Sequence, residues 1–478
     1  MMCAIYHLTP QKEDQSVLSK LRSTSDVLLQ KFGSSQAIVA TFWVVAGTGG
    51  TQVIRLLSNL LLTRLLFPEV FGLMALVYAV LVFLGQVSDI GLREGVVNSK
   101  RINDASFMQT AWTLQILRST IIALVAVAVA YPFANFYGQD ILAPVLAMVG
   151  FSMFITGFKS IGLLAYDKRL DLKTQTIVDV IQLAAGLIVM LVWAWVSPSV
   201  WALVGGQIVS SLLDVYLSYR LFHGHHSKLK LERKALIELF SFGKWIVISS
   251  TISFIIVQGD RLIMGKWLPI DQLGLYSIAS TWSAIVALIS FNLSTRVLHP
   301  YFRQKLDNGS DFTQIHKTRV QLNAAYAFVC IALAFIGDWL IQFMYDDRYL
   351  GAGWMLQILA VGQIGRVFTG TLRPFLIACG DSFSQMVTST ASAFILVAFF
   401  AIGHWFGGPH GMIIGYALSG FVMHPIMVLF AHKHGYKCMA ADMGIALLAC
   451  ALICLAWFAV DAPIIDTVTH MWTTFRSS

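Results

Sequence analysis

The chain has 478 residues, of which 57% are hydrophobic and 12% charged, and a formal net charge of +8 at pH 7. Soluble domains keep about a quarter of their residues charged, so this composition excludes a string of ordinary water-soluble domains. Apolar runs of helix length recur from about residue 36 to about residue 461 without alternating in polarity, which excludes a transmembrane barrel. What remains is an all-α polytopic membrane protein, because helices satisfy their own backbone groups in hydrocarbon.

Residues 1–35 carry Glu13, Asp14 and scattered Lys and Arg before any long apolar run, which is not the plan of a cleaved secretory signal. Val17, Leu18, Leu21, Leu28 and Phe32 could give one face to a surface-lying helix; a loose cytosolic tail fits equally. Turns and charges then bound about thirteen spans, within a predicted range of 12–14. They lie near 36–66, 71–91, 109–131, 141–165, 176–196, 199–220, 241–265, 273–293, 320–343, 353–377, 385–405, 411–431 and 441–461. This divides the chain into a tail (1–35), a six-helix lobe (36–222), a basic linker (223–240), a second six-helix lobe (241–432) and an extra helix with a short tail (433–478).

Basic residues set the orientation. With the amino terminus cytosolic, the cytosolic segments hold roughly twenty-two Lys and Arg and the opposite side about four, namely Arg64, Lys266, Arg348 and Arg476. An odd number of spans then places the carboxyl terminus outside. The external connections, such as "YPFANFYGQD" and "FGGPHG", are short, which weighs against membrane polymerases and ligases that carry reactive groups on long external loops.

An internal repeat follows. "TRLLFPEVFGLMALVYAV", starting at Thr63, matches "GKWLPIDQLGLYSIAST", starting at Gly265: a basic residue, apolar residues, proline, an acidic residue, then Gly-Leu opening a new apolar helix. "LLAYDKRLDLK" and "LIACGDSFSQM" form a second, weaker pair. The copies are separated by an even number of spans, so they share one membrane orientation, as in a parallel repeat about an axis normal to the membrane.

Seven basic residues fall inside the predicted spans: Arg55, Arg118, Lys159, Lys244, Arg261, Arg366 and Arg373. Lys244 is near a helix end, where it can snorkel to the headgroups, and Arg373 just before Pro374 has the same option. Arg55, Arg118 and Arg366 are deep in their spans, where a guanidinium needs a watery cavity or a partner charge. Asp89, Asp179, Asp214 and Asp260 are the acids available for ion pairing or for coupling to an ion. Cations outnumber acids where charge is most costly, which points to an anionic cargo, and the planar fork of arginine suits phosphate oxygens.

Other signals exclude more than they assign. His223, His225 and His226 lie in a basic linker, and Trp193, Trp195 and Trp201 sit where an interfacial aromatic belt would. "GGTQ" and "GQIGR" follow no strand and so are not nucleotide-binding loops. The six cysteines form neither a metal spacing nor an extracellular framework. No catalytic residues, metal site, cofactor or nucleic-acid partner is expected. The chain reads as a non-enzyme driven by a gradient, a potential or the cargo itself.

The run "LTRLLFPEVFGLMALVYAVLVFLGQVSDIGL" resembles the amino-terminal signature of the polysaccharide transporter family, the Wzx-type oligosaccharide-lipid flippases. "GDRLIMGKWLPIDQLGLYSIA" with "VLHPYF", and "FMYDDRYLGAGWMLQILAVG", resemble later family segments, so the likeness covers most of residues 45–380. Arg93-Glu94 departs from the small residues usual after "DIGL". The resemblance implies the fold of the multidrug/oligosaccharidyl-lipid/polysaccharide (MOP) flippase superfamily, with two pseudo-symmetric six-helix bundles around a central cavity in a bacterial inner membrane. It also implies export of undecaprenyl-diphosphate-linked repeat units for O-antigen, exopolysaccharide or capsule. A polysaccharide polymerase and a chain-length regulator are then candidate partners. On that basis Arg55, Arg118, Arg261 and Arg366, with Lys159 and Arg373, are the expected diphosphate cradle. The alternatives are a multidrug or cation antiporter of the same superfamily, which needs a deep acid, and a membrane glycosyltransferase or polymerase.

Overall fold

The structure is a computed structural model that describes residues 49–89, 91–99, 101–168, 172–222, 228–307, 312–436 and 438–459. The predicted tail, the start of the first span, the His223–His226 run, Arg476 and the side chain of Lys244 lie outside what it describes.

Every predicted span falls on a helix. They are α1 (49–65), α2 (Pro68–Val87), α4 (Ala105–Tyr137), α5 (Leu142–Gly157), α7 (Leu172–Val196), α8 (Val200–Leu221), α9 (Arg233–Trp267), α10 (Ile270–Leu293), α12 (Phe312–Met344), α13 (Ala352–Ala378), α14 (Ser382–Lys433) and α15 (Met439–Ala459). Short helices α3 (Leu92–Asn98), α6 (Gly162–Lys168) and α11 (His299–Asp307) lie between them. No strand occurs among the described residues. By length and apolarity α2, α4, α7, α8, α10, α12 and α14 can each cross a membrane, and α5 and α15 are shorter apolar helices. α9 and α13 are long but diluted by residues such as Arg261, Gln357, Gln363 and Arg366. α13 can carry them because most of its length is buried inside the protein. α14 is two arms joined at Gly407–Gly408; Gly408 has φ 58°, and Pro409 starts the second arm, as the "FGGPHG" turn predicts.

One end of the molecule holds the short turns at 66–68, 138–141, 197–199, 268–269, 345–351 and 407–409; the other holds most of the described Lys and Arg outside the spans. These are the short-turn end and the basic end below. α4, α5, α7 and α8 pack together around α2 as a first bundle. α9, α10, α12, α13 and α14 form a second, with α15 laid against α12 and α13. The bundles meet chiefly through α2 against α9 and α10.

Toward the short-turn end a single apolar core runs through both bundles, from Leu66, Leu76 and Leu146 to Met264, Tyr276, Leu356 and Ile413. Toward the basic end it divides into two clusters, one of Phe107, Trp112 and Leu164 in the first bundle that also takes in Ala235 and Leu239 from the start of α9, the other of Phe302, Phe375 and Tyr436 in the second bundle. The two copies of the turn motif explain the joint. Gly72 packs on the carbonyl of Ile270, and Gly274 on the carbonyl of Pro68, so closely that a Cβ at either would collide with backbone. The repeat is therefore conserved within the chain for a physical reason: each copy is the other's docking surface.

Two boundaries differ from those read in the sequence. The linker ends at residue 232, not 240, because Ala235 and Leu239 are buried against Leu92, Val96 and Phe107, which makes 233–240 the first turns of α9. Thr110 Oγ1 accepts from the Glu232 backbone N–H at 3.0 Å and fixes that start. Span four breaks at Phe158–Ile161, where Gln115 Nε2 donates to the carbonyls of Gly157 and Lys159, both at 2.9 Å. Lys159 thus occupies a helix break rather than a continuous helix.

Candidate functional site

The interior cations fall into separate groups. On the first bundle, Arg118 of α4 donates to the Gly85 carbonyl at 2.6 Å and to Ser88 Oγ at 3.2 Å, with Asp89 Oδ1 3.7 Å away. Lys159 pairs with Asp214 of α8 at 2.8 Å, and the two side chains are 19% and 9% exposed. Asp179, half-buried on α7, is not free of partners either. Two of the predicted cradle cations thus have carboxylates beside them. Arg55 is different: it is exposed on α1 and acts electrostatically on the hydroxyl of Tyr78, which itself donates to Gln207 Oε1 at 3.2 Å.

In the second bundle the cations gather around tyrosines. Gly365 and Gly420 bring α13 and the second arm of α14 into backbone contact, which no Cβ at either position would allow. That closeness lays the Arg366 guanidinium 3.5 Å from the centroid of the Tyr416 ring, and Nη2 donates to the Tyr416 carbonyl at 2.8 Å and to Ser419 Oγ at 3.4 Å. Such stacking contributes about 0.5–2 kcal/mol. Arg261 of α9 donates to Gln258 Oε1 and, at 3.4 Å, to Ser280 Oγ, and it too acts electrostatically on Tyr416. Asp260, 3% exposed, accepts from Tyr276 Oη at 2.6 Å, while its Oδ1 is buried without a partner. Tyr276 and Tyr416 meet edge to face at 6.5 Å. Arg261, Arg366 and Asp260, from α9 and α13, are therefore brought together around two tyrosines of α10 and α14. Arg261 and Arg366 keep guanidinium N–H groups that no carboxylate within 4 Å occupies among the described residues. Arg373, nearer the basic end of α13, buries its Nε without a partner.

A second constellation escaped the sequence reading. Arg319, counted there as a loop residue, is fully buried in α12. It donates to Asp442 of α15, to Thr371 Oγ1 of α13 at 3.2 Å and to Tyr436 Oη at 3.5 Å, while Asn323 Nδ2 donates to Asp442 Oδ1 at 2.9 Å. His424 Nε2 of α14 stands 3.2 Å from Asp442 Oδ2. A buried carboxylate and guanidinium need this many partners to offset lost hydration. The signal was present: Arg319 and Asn323 share one face of α12 by i,i+4 spacing, and Asp442 is an acid in the first turn of an apolar helix. The cluster holds α15 against α12, α13 and α14 and is closed to solvent, so it is a staple rather than a cargo site.

At the basic end, Arg101 joins Asp104 and Glu232, with Nη2 2.8 Å from Glu232 Oε1. The guanidinium holds both carboxyl groups below the usual carboxylate range. Among the described residues no group of His, Cys, Asp or Glu is arranged to hold a metal, and Cys330, Cys379 and Cys438 are free thiols.

With this geometry in place, comparison with known proteins decides the family. Residues 61–353 match the polysaccharide biosynthesis protein family. The chain belongs to that family. The chain is similar to relatives with stated roles: it is 21% identical over 345 residues to the succinoglycan biosynthesis transport protein ExoT of Rhizobium meliloti (strain 1021), an alignment covering 71% of this chain and 68% of ExoT. It is 19% identical over 301 residues to the teichuronic acid biosynthesis protein TuaB of Bacillus subtilis (strain 168), covering 63% of this chain and 62% of TuaB. In fold it is similar to the lipid II flippase MurJ in an inward closed conformation, with TM-score 0.66 and 12% identity over 91% of this chain and 98% of MurJ. It is also similar to an inward-facing multidrug resistance MATE family transporter of the MOP superfamily, with TM-score 0.62 and 14% identity over 83% of this chain and 95% of that one. The family member described here is thus a multi-pass helical membrane protein that shares the fold of these MurJ and MATE structures, as the motif resemblance implies.

Proposed function

We propose that this protein is a flippase for undecaprenyl-diphosphate-linked oligosaccharide repeat units, acting in a bacterial inner membrane with its basic end in the cytosol. The observation that carries the reading is the pair Arg261 and Arg366, held at a tyrosine platform between α9, α10, α13 and α14 with no carboxylate within 4 Å of either guanidinium among the described residues. A diphosphate is the anion such paired guanidinium forks suit. Arg55, on α1, which acts electrostatically on Tyr78 of α2, is the contribution of the first half of the chain; Arg373 is a secondary member of the cradle, and Arg118 and Lys159, each beside a carboxylate, contribute least. The sugar and diphosphate need a polar path through the protein, while the lipid tail stays in the bilayer.

The undivided core at the short-turn end and the divided core at the basic end support a cytosol-facing state of an alternating-access cycle, with the two bundles rocking about α2, α9 and α10. Moving an anion out of a negative interior is favoured by about 2.3 kcal/mol per charge per 100 mV. A polysaccharide polymerase and a chain-length regulator acting on the exported unit are the partners this role calls for. Arg55→Ala and Arg366→Ala, each expressed as folded protein, are expected to abolish export and to accumulate lipid-linked oligosaccharide on the cytosolic leaflet. Wild-type export by both variants would remove the cradle.

The second reading, a multidrug or cation antiporter of the same superfamily, is favoured by one observation, the unpartnered Oδ1 of buried Asp260. On the flippase reading Asp260 is the acid best placed to couple an ion to transport. Asp260→Asn then slows oligosaccharide export; an antiporter would lose drug efflux and leave oligosaccharide untouched.

A further inference from the structure

We propose that Arg64 and Lys266 are a reciprocal pair of latches that hold the short-turn end shut, and that their release is a step in its opening. The two occupy equivalent places in the turn repeat, since each precedes its glycine, Gly72 or Gly274, by the same eight residues. Each reaches across to the other bundle and donates to a carbonyl at the carboxyl end of that bundle's third span. Arg64 Nη2, from α1, donates to the Met344 carbonyl, the last residue of α12, at 3.4 Å. Lys266 Nζ, from α9, donates to the carbonyl of Phe136 in the last turn of α4. α4 and α12 are counterparts in the repeat, and each has 33 residues.

Those carbonyls are where an unsatisfied acceptor and the negative end of a helix dipole coincide, so a cation is the fitting cap. Lys266 has aromatic support, its Nζ 4.4 Å from the Phe136 ring centroid, and Arg348, a third tether, lies 4.7 Å over Phe67. Arg348 donates to the carbonyls of Thr63 and Arg64 at 3.5 and 3.2 Å, capping α1 in the same way, and is steadied by Asp346 at 2.7 Å. Arg64 and Lys266 are both exposed at the short-turn end, so a released cation is not left buried in the protein, and the latch can open and reclose in every cycle. Beneath the latches, the Gly72–Gly274 backbone contact gives no charge-based hold of its own.

The inference rests on the alternating-access reading for its role in transport, but the test measures opening without cargo. Spin labels at Asp140→Cys and Leu350→Cys, in otherwise cysteine-free protein, report the distance between the bundles at this end. In nanodiscs, Arg64→Ala with Lys266→Ala should raise the long-distance population roughly three- to thirty-fold over the parent, the range expected from losing two cation–helix-end contacts. Lys266→Arg should restore the parent distribution, and the thermal unfolding midpoint should stay within the parent's error. An unchanged distance distribution in the double variant, or a lowered unfolding midpoint without a distance change, would overturn the latch. If instead Arg55→Ala and Arg366→Ala export normally while the distances shift, the cargo reading fails and the latch stands.

Discussion

The two bundles handle interior positive charge in opposite ways. In the first, Arg118 and Lys159 have Asp89 and Asp214 beside them; in the second, Arg261 and Arg366 rest on amide, hydroxyl and ring. A cation already paired with a carboxylate has little to offer an incoming anion, whereas one held by neutral groups keeps most of its field. The difference teaches that burial alone does not mark a cargo residue; the nature of its partner does. Arg319 makes the same point within the second bundle, since it is the most buried cation described and is committed to Asp442.

The contrast can be broken in graded steps. Arg319→Leu leaves Asp442 buried without its guanidinium partner and should cost about 3–5 kcal/mol, read as loss of folded protein and a lower unfolding midpoint in detergent. Lys159→Met strands Asp214 in the same way but nearer solvent, at about 1–3 kcal/mol. Adding Asp214→Leu should recover most of that loss, and a double-mutant cycle checks the coupling. Arg366→Ala, by comparison, forfeits a stacking contact of about 0.5–2 kcal/mol and hydrogen bonds to the Tyr416 carbonyl and Ser419, strands no buried counter-charge, yet should remove export. A variant that unfolds like Arg319→Leu would place Arg366 with the structural cations instead.

The smallest effect belongs to the half-buried network at Arg101. Asp104 and Glu232 have carboxyl groups depressed by the guanidinium, so their contribution is present above the ordinary carboxylate pKa of about 4 and is lost as pH falls below it. Arg101→Gln should remove that increment where it is present, lowering the midpoint at pH 7 slightly and leaving it unchanged below about pH 3, and so flatten the acid limb of the stability profile between about pH 5 and pH 3.

Much of this architecture was legible in the sequence because membrane helices announce themselves by length and apolarity. The turn motif was legible too, because proline, glycine and an acid recur in one order at Pro68 and Pro269. What stayed hidden depends on contacts remote in sequence. Arg319 and Asp442 are 123 residues apart, each at the margin of an apolar run, and nothing local shows that the margins meet. The first turns of α9 read as a charged linker because Lys and Arg surround Ala235 and Leu239, whose spacing of four marks a helix face only once Leu92 and Phe107 are there to receive it. For the interior cations, sequence gave depth but not company: Lys159 and Arg366 look alike until Asp214 and Tyr416 are placed beside them.

The meeting of Gly72 with Gly274 has a thermodynamic consequence. Joining two surfaces ordinarily freezes side chains, at about 0.5–1.5 kcal/mol for each flexible one. Here the contact is backbone against backbone within helices that are already rigid, so closing this end removes almost no rotamer freedom. Opening it returns almost none. The two arrangements can therefore be nearly balanced in conformational entropy, which leaves the small energies of a bound anion, a membrane potential or a capped helix end free to tip the molecule from one to the other.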